Sequence, residues 1–215
     1  MQCVTDLAKL RSSIIKRIRH IREAIAPVTA PLGWEDRRTL SFATIELDNL
    51  VIVGLRQYAK SSLLGSRTAA GDRITSSVNP KSTEEAAALI FKSINPKGYQ
   101  NRKSPLSIPE REEIPIRNPK QIEKVFLDYS ISNLSNLTLA LSLNALAFSE
   151  VKVLRHFFAH RAQNTYDEVI ALAASLGISN LSMPEDFLVR GRPGVGVRFV
   201  DSWLADVENF FDLAT

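Results

Sequence analysis

The sequence has little cysteine, since Cys3 is the only one in 215 residues. A single thiol excludes an intramolecular disulfide, and it also excludes a zinc site built from several cysteines. Secreted proteins that depend on disulfides for stability are therefore excluded as a class. We expect the protein to reside in a reducing cytoplasm.

Long apolar runs are also missing. No stretch approaches the roughly 18 to 20 continuous apolar residues that a membrane span needs. Charged side chains interrupt the N-terminal segment, where a signal peptide would need an apolar core. These residues are Asp6, Lys9, Arg11, Lys16 and Arg17. The expectation is a soluble, cytoplasmic protein without a membrane partner.

The composition is otherwise that of a folded protein. Apolar residues make up 45% of the chain and charged residues 23%, a balance that argues against general disorder. A chain of this length can bury a sizeable core, and we expect one domain over residues 1–215. The net charge of +4 is mildly basic, which favours a polyanionic partner without requiring one.

Apolar residues at three- and four-residue steps predict an all-α bundle. The expected helices are 4–25, 39–64, 82–94, 119–129, 133–148, 149–161, 165–176 and 199–213. The stretch 133–148 is apolar on more than one face, which predicts a buried central helix. The first helix could pack inside the bundle or across a dimer interface, because its apolar stripe follows a heptad-like register. No strand is predicted.

Local patterns predict where several helices begin and end. Ser82 with Glu85 and Thr165 with Glu168 have the spacing of capping boxes, and Gly177 has the form of a helix C-cap. The stretch 95–119 is polar and rich in proline, so we expect an irregular surface insertion that acts as a lid or partner-facing loop. Its prolines are Pro96, Pro105, Pro109, Pro115 and Pro119. Asn118 before Pro119 predicts the next helix start.

The glycine-rich basic loop 190–198 resembles a phosphate loop at first sight. No strand precedes it, Pro193 interrupts it, and the lysine of a P-loop is missing. A flexible connector is the better interpretation. If the loop has a function, its arginines are expected to contact RNA or a partner.

Two of the three histidines, His156 and His160, lie beside Arg155 on an otherwise apolar helix. The histidines are four residues apart and share a face, whereas Arg155 lies roughly 140° from His160 around the axis and needs its long side chain to reach the same cleft. Three interpretations stay open. The histidines could clamp zinc, although Phe157 stands where the H-E-x-x-H motif has glutamate. They could be structural, with Arg155 paired to a carboxylate such as Glu46.

The third interpretation is a catalytic or phosphate-binding site. Histidine moves protons near neutral pH, and arginine holds phosphate in a bidentate manner. RNA transesterification needs a group that activates the 2′-hydroxyl or protonates the leaving oxygen, and a cation for the charge at phosphorus. Lys152 and Arg161 flank the cluster and could bind neighbouring phosphates.

The segment from Arg155 to His160 resembles the R-x4-H motif of the HEPN superfamily, in which the residue after the arginine is usually polar, as His156 is. The order of the helices is similar as well. This resemblance implies a homodimeric, metal-independent endoribonuclease without a cofactor, which leaves a 2′,3′-cyclic phosphate and a 5′-hydroxyl. It implies that His160 is the acid–base residue, Arg155 the phosphate ligand and His156 a supporting polar group.

The same resemblance implies a cellular role. Many HEPN proteins act as toxins or phage-defence effectors, so a cognate antitoxin or sensor protein is an expected partner besides RNA. In one subset a tyrosine two residues after the histidine is modified by the antitoxin, but that position is Ala162 in this chain. The alternative is a non-catalytic HEPN-like module that binds a protein or nucleic acid.

Overall fold

The computed structural model describes residues 6–215, and that part of the chain is helical without a strand. The α-helices are α1 (Leu7–Ile25), α2 (Trp34–Leu63), α3 (Thr83–Ile94), α4 (Pro96–Asn101), α5 (Lys120–Asp128), α6 (Leu134–Ser142), α7 (Ala147–His160), α8 (Gln163–Ser175), α9 (Pro184–Val189) and α10 (Phe199–Ala214). A 3-10 turn lies at Glu110–Glu112. The predicted all-α class is confirmed.

No single helix in residues 6–215 is long and apolar enough to cross a membrane, and only α6 and α7 counted together as a bent pair have the length and composition. The predictions made for Cys3 and for Val4, the start of the first helix, lie outside the described residues.

The chain divides into two compact units. The first contains the described chain up to Ile14 together with Val51–Asn144 and Phe210–Thr215, and the second contains Ile15–Leu50 and Ala145–Asn209. Helices α1, α2 and α10 each contribute residues to both units. All of the predicted site residues, from 152 to 161, belong to the second unit. The assignment of 1–215 to a single HEPN-like domain stays a prediction.

The first two helices follow the predicted apolar stripes. The described part of α1 agrees with the predicted helix over 4–25, whereas α2 begins at Trp34, before the predicted start at residue 39. The reason lies in the first turn of α2, where the Asp36 carboxylate accepts a hydrogen bond from the Gly33 N–H at 2.9 Å. Glu35 and Asp36 also stabilise this end through the helix dipole. The earlier start was missed because this turn is polar.

Two predicted helix starts are confirmed by their hydrogen bonds. Ser82 Oγ accepts from the Glu85 N–H at 3.1 Å, and the Glu85 carboxylate accepts from the Lys81 N–H at 2.7 Å. At α5, Asn118 Oδ1 accepts from the Lys120 N–H at 3.0 Å, and the helix begins at Lys120 with Pro119 as its N-cap, one residue later than predicted. Local sequence patterns predicted these caps because both partners lie within four residues of each other.

The predicted capping box at α8 is wrong in its position. Thr165 lies in the first turn, where its hydroxyl donates to the Ala162 carbonyl at 2.8 Å and accepts from the Ala162 N–H at 3.2 Å. Glu168 is not part of the cap, since its carboxylate contacts His156 instead. The predicted end is confirmed, because Gly177 follows α8 with a φ of 73°, the left-handed conformation that glycine adopts freely.

The apolar stretch 133–148 forms two helices, so the prediction of one buried central helix is wrong. Helix α6 ends at Ser142, and α7 begins at Ala147. In α6 the buried residues are Leu137 and Ala140. The leucines that face solvent are Leu139, Leu143 and Leu146, with exposed fractions of 54%, 43% and 46%. A leucine repeat on several faces therefore did not indicate burial on all of them.

The break between α6 and α7 has two physical causes. Asn144 adopts a φ of 47°, a left-handed conformation that a right-handed helix cannot continue. The Ala147 N–H donates to the Asp206 carboxylate at 3.1 Å, which satisfies one of the open donors at the start of α7. Burial raises the pKa of Asp206, and the Ala147 N–H partly offsets that rise. The position of the α7 start therefore depends on a residue of α10.

The proline-rich stretch 95–119 is more ordered than predicted. It contains the helix Pro96–Asn101, and the side chains of Ile108 and Ile116 are buried. Glu113 from the same stretch forms a buried ion pair with Lys60 at 2.7 Å. The prediction of an irregular surface insertion is corrected at Pro96–Asn101, because proline at the first position of a short helix is compatible with helical structure. The rest of the stretch has no regular structure apart from the turn Glu110–Glu112, and most of its residues are exposed or partly exposed.

The basic loop 190–198 is held in place by its own arginines. The Arg192 N–H donates to the Val197 carbonyl at 2.7 Å, and the buried Arg192 side chain pairs with Glu150 at 2.8 Å. Arg198 pairs with Asp201 at 2.6 Å. The expected contact with RNA or a partner is therefore wrong for Arg192, whose charge is used inside the fold.

Candidate functional site

The predicted site residues lie in α7 and directly after it, in the second unit. Leu154 and Phe157 are buried and attach the helix to the core, whereas Arg155 and His156 are partly exposed and His160 is exposed. An apolar helix face alternating with polar positions places these three polar side chains at the surface of the unit. The sequence-predicted cluster is therefore accessible to a ligand.

The two histidines lie together. Their ring centroids are 5.0 Å apart, and the rings are nearly perpendicular at 83°. His156 Nδ1 also lies 3.2 Å from Glu168 Oε2, a carboxylate that α8 brings back towards α7. Both members of this second pair are about half exposed, at 44% and 51%. Glu168 thus contacts His156, and His156 in turn contacts His160.

Arg155 is held by a buried carboxylate of α2. Its Nε lies 3.6 Å from Asp48 Oδ2, and Asp48 is only 2% exposed. This distance is too long for a hydrogen bond but is that of an ion pair. Glu46, the partner considered from sequence, pairs with Arg17 at 3.1 Å instead. The structure therefore bears out a carboxylate partner for Arg155 and corrects its identity.

We expect Asp48 and Arg155 to be energetically coupled. In a double-mutant cycle with Asp48→Ala and Arg155→Ala, urea unfolding should give a coupling energy of about 0.5–3 kcal/mol. The reason is that the Arg155 guanidinium interacts directly with the buried Asp48 carboxylate. The matched control is the cycle of Glu46→Ala with Arg155→Ala, which should be additive. Coupling confined to the Glu46 cycle would contradict the observed pairing.

The two residues proposed to bind flanking phosphates differ in their surroundings. Lys152 is exposed on α7. Arg161 follows the helix with a φ of 48°, is 61% exposed, and places Nη2 3.9 Å from Oε1 of the buried Glu185. Arg37 Nη1 lies 3.9 Å from the other oxygen of Glu185. Arg161 therefore lies at the edge of a small charged cluster and remains open to solvent.

The site contains carboxylates that sequence reasoning did not assign. The sequence pattern predicts only a capping role for Glu168 and assigns no role to Asp48 or Glu185. The contact of Glu168 with His156 spans 12 residues. Asp48 lies even further along the chain from Arg155. Helical spacing carries no signal for such partners, because it relates residues only within a turn or two.

A metal centre would need at least three ligating side chains close together. In the part of the chain that the structure describes, no group of three His, Cys, Asp or Glu side chains is placed to hold a metal ion. What the residues offer instead is proton transfer at two imidazoles and a fixed positive charge at Arg155. These are groups suited to an anionic substrate.

A comparison of the chain with protein-family models, curated proteins and solved structures found no match. The function is therefore proposed from the geometry of the site and from the motif of α7.

Proposed function

We propose that this protein is a metal-independent endoribonuclease of the HEPN type, which cleaves RNA by attack of the 2′-hydroxyl on the adjacent phosphate. One observation carries the proposal: an arginine and two histidines lie at the accessible end of α7, and the histidine rings are in contact at 5.0 Å. The resemblance of this segment to the R-x4-H motif supports the same reaction. No cofactor is part of the proposal.

Each residue has a role that its chemistry allows. His160 transfers protons, and Arg155 stabilises the charge that develops on the phosphate. Asp48 fixes the position of the Arg155 guanidinium, with Oδ2 at 3.6 Å from Nε. His156 is a polar group beside them. Lys152 and Arg161 contact phosphates on either side of the cleavage site.

The proposal includes the partners that the resemblance implies. RNA is the substrate, and a homodimer brings two copies of the motif to one cleft. A cognate antitoxin or sensor protein restrains the activity, and the cellular role is that of a toxin or a defence effector in the cytoplasm. The exposed Leu146, directly before α7, is compatible with a protein contact on the second unit.

A non-catalytic binding module is the second candidate, and the Asp48 contact favours it. An arginine whose charge is balanced by a buried carboxylate can serve the fold alone, without a substrate. In that case α7 would present His156, His160 and Lys152 as a polar surface for a protein or nucleic acid. This function requires binding without cleavage.

The proposal is tested by incubating the purified protein with tRNA and total RNA in excess EDTA and resolving the products on a denaturing gel. An Arg155→Ala preparation made in parallel controls for contaminating nucleases. We expect cleavage by the wild type, products that end in 2′,3′-cyclic phosphate, and loss of detectable cleavage in the variant. The chemical reason is that Arg155 stabilises the charge that develops on the phosphate during the proposed reaction.

A second substrate separates this reaction from other nuclease mechanisms. An RNA with a single 2′-deoxy nucleotide at the mapped cleavage position should resist cleavage, because the attacking hydroxyl is missing. Cleavage of that substrate, or equal cleavage by wild type and Arg155→Ala, would refute the proposal. RNA binding without cleavage by a correctly folded protein would favour the binding module.

A further inference from the structure

Glu168 is a carboxylate that the R-x4-H motif does not include, and it contacts the motif directly. Its Oε2 lies 3.2 Å from His156 Nδ1, across the turn between α7 and α8. The left-handed conformation of Arg161, with a φ of 48°, lets α8 begin at Gln163 and return along α7. The contact is therefore a product of the helical hairpin.

A hydrogen bond from His156 to the Glu168 carboxylate places the ring proton on Nδ1. An ionised carboxylate only accepts hydrogen bonds, so the contact requires a proton on Nδ1. In the neutral imidazole, Nε2 then has the free lone pair and is able to accept a proton. A carboxylate that fixes the tautomer and orientation of a histidine is a known means of preparing a general base.

The second imidazole lies within reach of the first. The ring of His160 is 5.0 Å from that of His156, and it is exposed at the end of α7. Nothing in the described contacts gives His160 a carboxylate partner of its own, whereas His156 has Glu168. The two histidines are thus chemically unequal although they lie side by side. Unequal neighbours are what a reaction with one base and one acid requires.

We infer that His156 and His160 act as an acid–base couple, in which Glu168 positions His156 as the general base and protonated His160 is the general acid. His156 Nε2 removes the proton of the 2′-hydroxyl, and the 2′-oxygen forms a bond to phosphorus. The bond from phosphorus to the 5′-oxygen breaks, and His160 donates its proton to that oxygen. One proton is gained and one is lost, so the charge of the couple is conserved.

This inference rests on the proposed ribonuclease function and deepens it. It assigns His156 a catalytic role instead of a supporting one, and it makes Glu168 a positioning residue. Asp167 is the matched control on the same helix, since it is an exposed carboxylate that accepts a hydrogen bond from the Gln163 side-chain amide at 2.9 Å. Replacing either carboxylate with alanine removes the same charge from α8.

The first test measures the tautomer of His156 without RNA. The chain has three histidines, so ¹⁵N-histidine spectra of the untagged 215-residue chain can be assigned with single His→Gln variants. At alkaline pH, where the rings are neutral, we expect the Nδ1–H tautomer at His156. Glu168→Ala should reduce its population, whereas Asp167→Ala should leave it unchanged. A predominant Nε2–H tautomer in the wild type would overturn the assignment.

The second test measures cleavage under single-turnover conditions in excess EDTA. We expect His156→Ala to slow cleavage by about 10²–10⁴-fold, the usual contribution of a general base. Glu168→Ala should slow it on the order of tenfold with little change in RNA affinity, because an orienting partner acts through His156. Glu168→Gln should recover part of the loss, since its amide oxygen can still accept from Nδ1–H.

The outcomes separate this inference from the proposed function. If the wild type cleaves RNA while His156→Ala and Glu168→Ala cleave at the wild-type rate, the acid–base couple is refuted and the ribonuclease remains. If the wild type does not cleave RNA, the proposed function fails and the catalytic assignment fails with it. The tautomer spectra then report only whether Glu168 orients His156.

Discussion

Replacing His160 with alanine should slow RNA cleavage by about 10²–10⁴-fold, the range for loss of one general acid–base group. Alanine cannot transfer a proton to the leaving oxygen, while the fixed charge of Arg155 remains. His160 is exposed at the end of α7, so its removal opens no cavity in the core. Single-turnover kinetics on a defined RNA, together with urea unfolding, would measure the loss of rate apart from any loss of stability.

His20 provides the matched control for this substitution. It is the third histidine of the chain and is exposed on α1, outside the motif. His20→Ala should therefore cleave RNA at the wild-type rate. A fall in rate no greater for His160→Ala than for His20→Ala would exclude His160 from the chemistry, provided that both variants are folded.

Replacing Glu150 with alanine should cost about 3–5 kcal/mol of unfolding free energy, the range for breaking a buried ion pair. Glu150 is 4% exposed near the start of α7. Its carboxylate accepts a hydrogen bond from Arg192 at 2.8 Å and another from Trp203 Nε1 at 2.6 Å. The variant would leave a buried guanidinium without its counter-charge and a buried indole N–H without its acceptor.

Urea unfolding followed by fluorescence or circular dichroism would measure this loss. The control is the double substitution Glu150→Leu with Arg192→Met, which removes both charges and should recover much of the stability, because apolar pairs often replace buried ion pairs without loss. Glu23→Ala, an exposed glutamate of α1, should change stability by less than about 0.5 kcal/mol. A loss at Glu150 as small as that at Glu23 would contradict the buried network.

The Glu150 network also explains how the fold places the motif. Glu150 lies on α7, Arg192 on the loop 190–198 and Trp203 on α10, so one carboxylate connects three segments of the second unit. Because the network fixes α7 one to two turns before Arg155, its loss should also reduce RNA cleavage. The loss of cleavage should be proportional to the loss of folded protein. The double substitution Glu150→Leu with Arg192→Met should reverse it.

Several elements could be predicted because their causes are local. The repeat of isoleucines in α1 and the Ser82–Glu85 pattern of α3 act within one or two helical turns, and the structure has helices at both places. The spacing of His156 and His160 likewise placed both rings on one face of α7, where they are in contact. Hydrophobic periodicity and capping need no knowledge of distant residues.

Other elements could not be predicted because two local patterns compete. The leucines of 133–148 would fit one buried helix, yet the chain breaks where Asn144 turns and Asp206 caps the new start. Thr165 and Glu168 have the spacing of a capping box, yet the cap bonds to Ala162 and the glutamate binds His156. In each case a partner from another helix, or the precise start of the helix, decided the outcome.

The sequence by itself determined the helical class and the apolar faces of the helices. It also determined that Arg155, His156 and His160 lie on the same helix. These follow from rules that relate residues a few positions apart. Only the tertiary structure decided that Asp48 holds Arg155 and that Glu168 contacts His156. The physical reason is that ion pairs form between whichever charges the packing of helices brings within about 4 Å, and sequence separation does not limit that choice.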